Sequence, residues 1–199
     1  MAYCTETSNA FPAGYLSTLR KQILASPHLA ANSLTADFVG SRGFSVVFRR
    51  SGLAQVRRRF AFFGPYLDTL LDPACNAFYL NPLVLARASR VNPHIDRSLR
   101  AYCSTVETPV LVSVLYLSLP EDLSGGDLVL SHRKKQVGRI KPALNKVVRF
   151  QGDLMHQVTE VATQGAGLRI SLVCEQYALD DEHLARIPEM VVEGVRKQY

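Results

Sequence analysis

The run Val110-Leu111-Val112-Ser113-Val114-Leu115-Tyr116-Leu117 decides the class of fold. The stretch from Pro109 to Leu119 that contains it is apolar and rich in β-branched residues, yet Ser113 and Ser118 break it, and it falls short of the roughly 18 uninterrupted apolar residues that a membrane-spanning helix needs. It reads as a buried strand. The texture around it is the same: residues 83–88, 127–131, 136–140, 146–150, 154–161 and 168–177 are short segments separated by turn residues. Many short strands with turn signals predict a sandwich or barrel.

Before about residue 80 the pattern turns helical. Tyr15, Leu16, Leu19, Ile23 and Leu24 recur at three- and four-residue spacing, and so do Val56, Phe60, Phe63, Leu67, Leu70 and Leu71. Gly64-Pro65 is expected to break the second segment, residues 44–48 to form a strand between the two, and residues 180–199 to form a short closing helix interrupted by Pro188. The 199 residues, 47% hydrophobic and 20% charged, suit one globular domain that builds its core without staples. The expected division is a helical support region over 1–78, a β core over 79–177 and an extension over 178–199. The fold class is therefore mainly β with flanking helices (α+β).

Cys4, Cys75, Cys103 and Cys174 form no CxxC pair, which fits reduced thiols. The N-terminus has no basic residue followed by an apolar run, so a cytoplasmic protein without membrane attachment is expected. The net charge of +6 gathers in Arg49, Arg50, Arg57, Arg58 and Arg59 and in the run from His132 to Lys135. Without interleaved aromatics or a known motif, this reads as a solvated helix face and a charged hairpin rather than a nucleic-acid surface.

Chemistry concentrates in Val91-Asn92-Pro93-His94-Ile95-Asp96 and in Gln151-Gly152-Asp153-Leu154-Met155-His156. On a strand, positions i and i+2 share a face, so His94 and Asp96 can turn an imidazole and a carboxylate toward one point. With His156 they complete two histidines and one carboxylate, the donor set of non-haem Fe(II) oxygenases, which leaves coordination positions open. Farther on, Gly167-Leu168-Arg169-Ile170-Ser171-Leu172-Val173 puts Arg169 and Ser171 on one face of an apolar strand. An arginine there needs an anion, and its planar fork suits a carboxylate, with the serine hydroxyl as an extra donor.

Together these residues resemble the Fe(II)- and 2-oxoglutarate-dependent dioxygenases, and within them the prolyl 4-hydroxylase-like branch. The matching elements are His94-Ile95-Asp96, the strand Ser113 to Leu117 followed by Leu123-Ser124-Gly125-Gly126-Asp127-Leu128, Arg149-Phe150 before His156-Gln157-Val158, and Arg169-Ile170-Ser171, over roughly residues 79 to 177. The resemblance implies a double-stranded β-helix (jelly-roll) core. It implies His94, Asp96 and His156 as iron ligands and catalytic centre, with Arg169 and Ser171 on the distal carboxylate of the co-substrate 2-oxoglutarate. Tyr116 aligns with a tyrosine that donates to that carboxylate in some relatives; the alternative is a core aromatic. Gly125-Gly126 reads as a structural turn.

The implied activity uses Fe(II), 2-oxoglutarate and O2 to hydroxylate an unactivated C–H bond of a small molecule or a peptide or protein residue, releasing succinate and CO2. Collagen-type prolyl hydroxylases commonly carry lysine where Arg169 stands, which points away from a proline substrate. The nucleic-acid demethylase branch expects a second arginine at the position of Glu175, which argues against a nucleic-acid partner. Arg97 and Arg100, with Arg87 and Arg90, either orient an anionic substrate or are rim charges, and the polar segment 97–108 is expected to be a mobile lid. A cupin-like metalloenzyme that does not use 2-oxoglutarate and a non-catalytic basic binding module are the competing readings. Oligomeric state is not legible.

Overall fold

The computed structural model describes residues 3–31 and 36–194. In chain order these form β1 (Cys4–Thr7), α1 (Ala13–Leu24), β2 (Ala30–Ala31), β3 (Phe38–Gly43), β4 (Ser45–Arg49), α2 (Leu53–Arg59), α3 (Gly64–Leu70) and β5 (Ala77–His94). Then come β6 (Leu111–Ser118), β7 (Ser124–Gly125), β8 (Leu128–His132), β9 (Lys135–Ile140), β10 (Val147–Gln151), β11 (Met155–Val158), β12 (Val161–Ala162), β13 (Arg169–Tyr177), α4 (Asp181–Arg186) and β14 (Met190–Glu193). The main antiparallel sheet runs β1-β10-β6-β13-β5-β11-β8-β9 and curls into a nearly closed double-stranded β-helix.

Its closure rests on the 18-residue β5. The first half pairs with β13, from Ala77↔Tyr177 to Leu85↔Arg169, and the end pairs with β11 through His94↔His156. Between them Ala88 takes φ 63°, while the Ser89 hydroxyl accepts from the Ala86 N–H at 3.1 Å and donates to the Gly40 carbonyl at 2.8 Å. This irregularity separates the part of the strand paired with β13 from the part paired with β11.

Strand alternation sorts the side chains into two layers. Ile170, Leu172 and Cys174 of β13 and Leu115 of β6 join the core beneath the helices, while Arg169, Ser171, Val173, Val114 and Tyr116 face the barrel interior. Leu16, Leu19 and Ile23 form the buried stripe of α1, as their spacing predicts. They pack in one cluster with Phe44, Phe63 and Phe78.

Several expectations need correction. The second helical segment breaks at Phe60 (φ −133°, ψ 62°), and Gly64-Pro65 opens α3 instead of ending a helix. Proline costs no hydrogen bond in a first helical turn. The strand expected at 44–48 is β4, and beside it the unexpected β3 also extends the main sheet along β5. Beyond Pro188 the tail adds β14 to β4, with Met190 opposite Phe48; residues 195–199 lie outside the described residues. Segment 97–108 is anchored rather than built as a loose lid: Leu99, Cys103 and Val106 are buried in one cluster with Tyr79 and Tyr177. No helix among the described residues is long and apolar enough to cross a membrane.

Because the helical layer closes one side of the core, truncating its most buried stripe should be costly. Leu19, fully buried, is expected to lower unfolding free energy by about 2–5 kcal/mol when replaced by alanine, measured as a shift in the urea midpoint at constant slope.

Candidate metal centre and co-substrate pocket

His94 and His156 stand opposite each other across the β5–β11 ladder, with ring centroids 4.3 Å apart. Just beyond β5 the chain brings Asp96 between them: its Oδ1 lies 3.4 Å from His94 Nε2 and its Oδ2 3.4 Å from His156 Nε2. One donor atom from each residue falls within 4.8 Å of the others. The tautomers are fixed from behind. His94 Nδ1 donates to the Asn92 carbonyl at 2.8 Å and His156 Nδ1 to the Leu154 carbonyl at 3.1 Å, which leaves both Nε2 lone pairs directed at Asp96 in the neutral rings.

Burial alone would raise the Asp96 carboxyl, but His156 and His94 outweigh it and hold the group below its ordinary range. Burial pulls His156 down, while at His94 the neighbouring Asp96 overcomes burial and raises the ring. Asp96 Oδ2 makes no hydrogen bond. Three converging Lewis bases, one with an orphaned buried oxygen, repel one another unless a cation sits among them. The donor set and its open side fit Fe(II).

These three side chains line a cavity of about 240 Å³ whose walls include β5, β13 and β6. Arg169 is 1% exposed, and burial pulls its guanidinium below its usual range. Its Nε donates to the Gly126 carbonyl at 3.1 Å, its Nη1 reaches Ser171 Oγ at 3.5 Å, and its Cζ lies 5.1 Å from the centre of the Tyr116 ring. Among the described residues no carboxylate forms an ion pair with Arg169, and the buried Tyr116 hydroxyl has no hydrogen-bond partner. A buried cation, a serine and an unsatisfied phenol on one cavity wall fit a carboxylate of 2-oxoglutarate.

Of the other residues singled out from the sequence, exposed Arg97 lines the cavity. Arg100 does not join it; its Nε donates to the Val106 carbonyl at 2.8 Å within its own loop. Arg90 ion-pairs with Glu160 at the rim. The basic run is engaged locally, since Arg57 pairs with Asp68 and Arg50 holds the Asp72 and Cys75 carbonyls.

Three contributors escaped sequence reasoning. Gly126, at φ 67°, does more than turn the chain: a Cβ there would lie 3.1 Å from Arg169 Cδ, so the glycine makes room for the side chain that its carbonyl holds. Tyr79 and Asn81 share the cavity face of β5 with Leu83. Their two-residue spacing is a usable signal once the strand is known to start at Ala77.

Comparison with known proteins agrees with this geometry. The profile described as the 2OG-Fe(II) oxygenase superfamily matches residues 81–174. No curated protein sequence matches significantly. Among solved structures, a Pseudomonas putida prolyl-4-hydroxylase superposes with a TM-score of 0.59 at 15% identity, covering 90% of this chain and 95% of that one. A Burkholderia pseudomallei oxidoreductase of the 2OG-Fe(II) oxygenase family gives 0.57 at 18% identity, with 89% and 86% covered. A Trichoplax adhaerens prolyl hydroxylase, in complex with a hypoxia inducible factor oxygen degradation domain peptide fragment, gives 0.58 at 13% identity, with 93% and 87% covered. The profile spans the strands that converge on the cavity: residues 81–174 are similar to the 2OG-Fe(II) oxygenase superfamily, and the protein is an oxygenase of prolyl 4-hydroxylase-like fold whose cofactors are Fe(II), 2-oxoglutarate and O2.

Proposed function

We propose that the protein hydroxylates an unactivated C–H bond of a small molecule or of a peptide side chain, consuming O2 and 2-oxoglutarate and releasing succinate and CO2. The observation that carries this reading is the pairing, in one cavity, of the His94–Asp96–His156 cluster with a buried Arg169 that has no carboxylate partner among the described residues. In this reading His94, Asp96 and His156 hold Fe(II), which supplies the oxidising chemistry that couples O2 to decarboxylation of the co-substrate. Arg169 neutralises one carboxylate of the 2-oxoglutarate dianion, Ser171 and Tyr116 donate to it, and the Gly126 carbonyl keeps the guanidinium aimed.

The apolar walls, among them Val114, Val173 and Phe150, keep bulk water from the metal side and admit a small molecule or one side chain rather than a folded segment. A cupin that does without 2-oxoglutarate has no use for the Arg169–Ser171–Tyr116 wall. Arg97 at the cavity is the substrate contact in this reading, and Arg100, turned to Val106, drops out of it. Four free cysteines suit a reducing compartment such as the cytoplasm.

Anaerobic titration with Fe(II) and 2-oxoglutarate tests the reading. The wild type is expected to develop the visible metal-to-ligand charge-transfer band, His156→Ala to abolish it, and Arg169→Ala to weaken 2-oxoglutarate while Fe(II) still binds; iron binding without any band overturns the role of the co-substrate. Gly126→Ala should raise the Kd for 2-oxoglutarate by about tenfold or more, the cost of crowding a packed site, with Fe(II) affinity unchanged. Once a substrate is found by succinate release, Arg97→Ala should raise its KM and leave 2-oxoglutarate affinity alone; equal effects on both, or on neither, remove Arg97 from substrate recognition.

A further inference from the structure

We propose that Glu175 is a positioning residue for the metal centre: its buried carboxyl clamps the turn that follows Asp96 onto β13 and thereby sets where the Asp96 carboxylate points. The inference rests on the reading of His94, Asp96 and His156 as the metal ligands. Glu175 is 3% exposed and stands on the cavity face of β13, in line with Arg169, Ser171 and Val173. Its Oε1 accepts from Ser98 Oγ at 2.5 Å, and its Oε2 accepts from the Ser98 backbone N–H at 3.2 Å and from the Tyr177 hydroxyl.

Ser98 lies two residues beyond Asp96 and opens a single 3-10 turn, Ser98–Ala101. The next residue, Leu99, is fully buried against Val47, Tyr79 and Tyr177. A polar tether and an apolar plug therefore fix two consecutive residues of the turn. Asp96 cannot be oriented by hydrogen bonds at Oδ2, which makes none. Its oxygens stand 3.4 Å from the two imidazoles, and the backbone that Glu175 holds sets its direction together with them.

The arrangement is costly, which separates it from incidental packing. No lysine or arginine among the described residues forms an ion pair with Glu175. Burial foremost, with Asp96 adding to it, pushes the carboxyl up to about 8. An acid buried without a cation destabilises a fold unless its hydrogen bonds are satisfied, and here two of the three come from the turn next to a ligand. Residues that orient ligands from behind commonly govern metal affinity by about 10–100-fold.

The test uses metal binding rather than turnover: Mn(II) affinity followed by electron paramagnetic resonance, and the visible spectrum of the Co(II)-loaded protein. Glu175→Leu is expected to weaken Mn(II) by about 10-fold or more and to shift the Co(II) bands. Glu175→Gln keeps an acceptor for the Ser98 N–H and should restore most of the affinity. Unchanged affinity and spectrum in folded Glu175→Leu overturn the clamp, and so does a glutamine variant as weak as the leucine one, because charge and not tethering would then be responsible. If Glu175→Leu does not fold, Ser98→Ala decides: a smaller loss of Mn(II) affinity upholds the tether, and no loss overturns it. A wild type that binds no Mn(II) overturns the metal-centre reading and the clamp with it; a wild type that binds while every variant binds equally overturns the clamp alone.

Discussion

A strand whose two halves pair with different partners must change course between them, and this change in β5 governs everything downstream of it. Up to Leu85 the strand lies beside β13; past Ser89 it lies beside β11. The energetic support is local: the Ser89 hydroxyl takes up the Ala86 N–H and gives its proton to the Gly40 carbonyl, so the irregular backbone leaves fewer orphaned groups. The left-handed conformation of Ala88, costly for a residue with a Cβ, is held by ladders on both sides of it. Because β5 crosses in this way, its end delivers His94 to His156, while its beginning supplies part of the cavity wall.

The cavity has a chemical gradient that follows from period-2 alternation on one strand. Along β13 the inward residues read Arg169, Ser171, Val173, Glu175: cation, hydroxyl, hydrocarbon, acid. Six residues of extended chain separate the two charged ends by about 20 Å, far beyond ion-pair distance. Each end therefore meets its own set of neighbours, Gly126 and Tyr116 at one and Ser98 and Tyr177 at the other.

What the sequence made legible was local. Arg169 and Ser171 are two apart on a strand, so their shared face follows from backbone geometry without knowledge of the fold; His94 and Asp96 converge as their spacing suggests, although Asp96 lies just past the end of β5. The α1 stripe was readable for the same reason. Contacts that depend on distant pairing were not: β3 and β14 are short edge additions to β5 and β4, and nothing in Met190–Glu193 says that its partner is Ser45–Arg49. The anchoring of segment 97–108 stayed hidden because Leu99, Cys103 and Val106 are too few and too interrupted by polar residues to form a periodic pattern. Gly64-Pro65 misled because the pair that often stops a helix also starts one, and the choice fell to Phe60, four residues before Gly64.

The turn at Gly125-Gly126 carries a consequence for how such a protein can change. Turns between strands at a barrel's surface ordinarily accept insertions and substitutions with little effect. Here the turn approaches the interior so closely that its backbone oxygen and its missing Cβ form part of the arginine's seat. Lengthening or resculpting it to create a new binding loop would disturb the pocket that holds Arg169. Evolutionary freedom, or an engineer's, therefore lies elsewhere on the rim, for instance in the β8–β9 hairpin, whose tip residues Arg133 and Lys134 already sit at positive φ without touching the cavity lining.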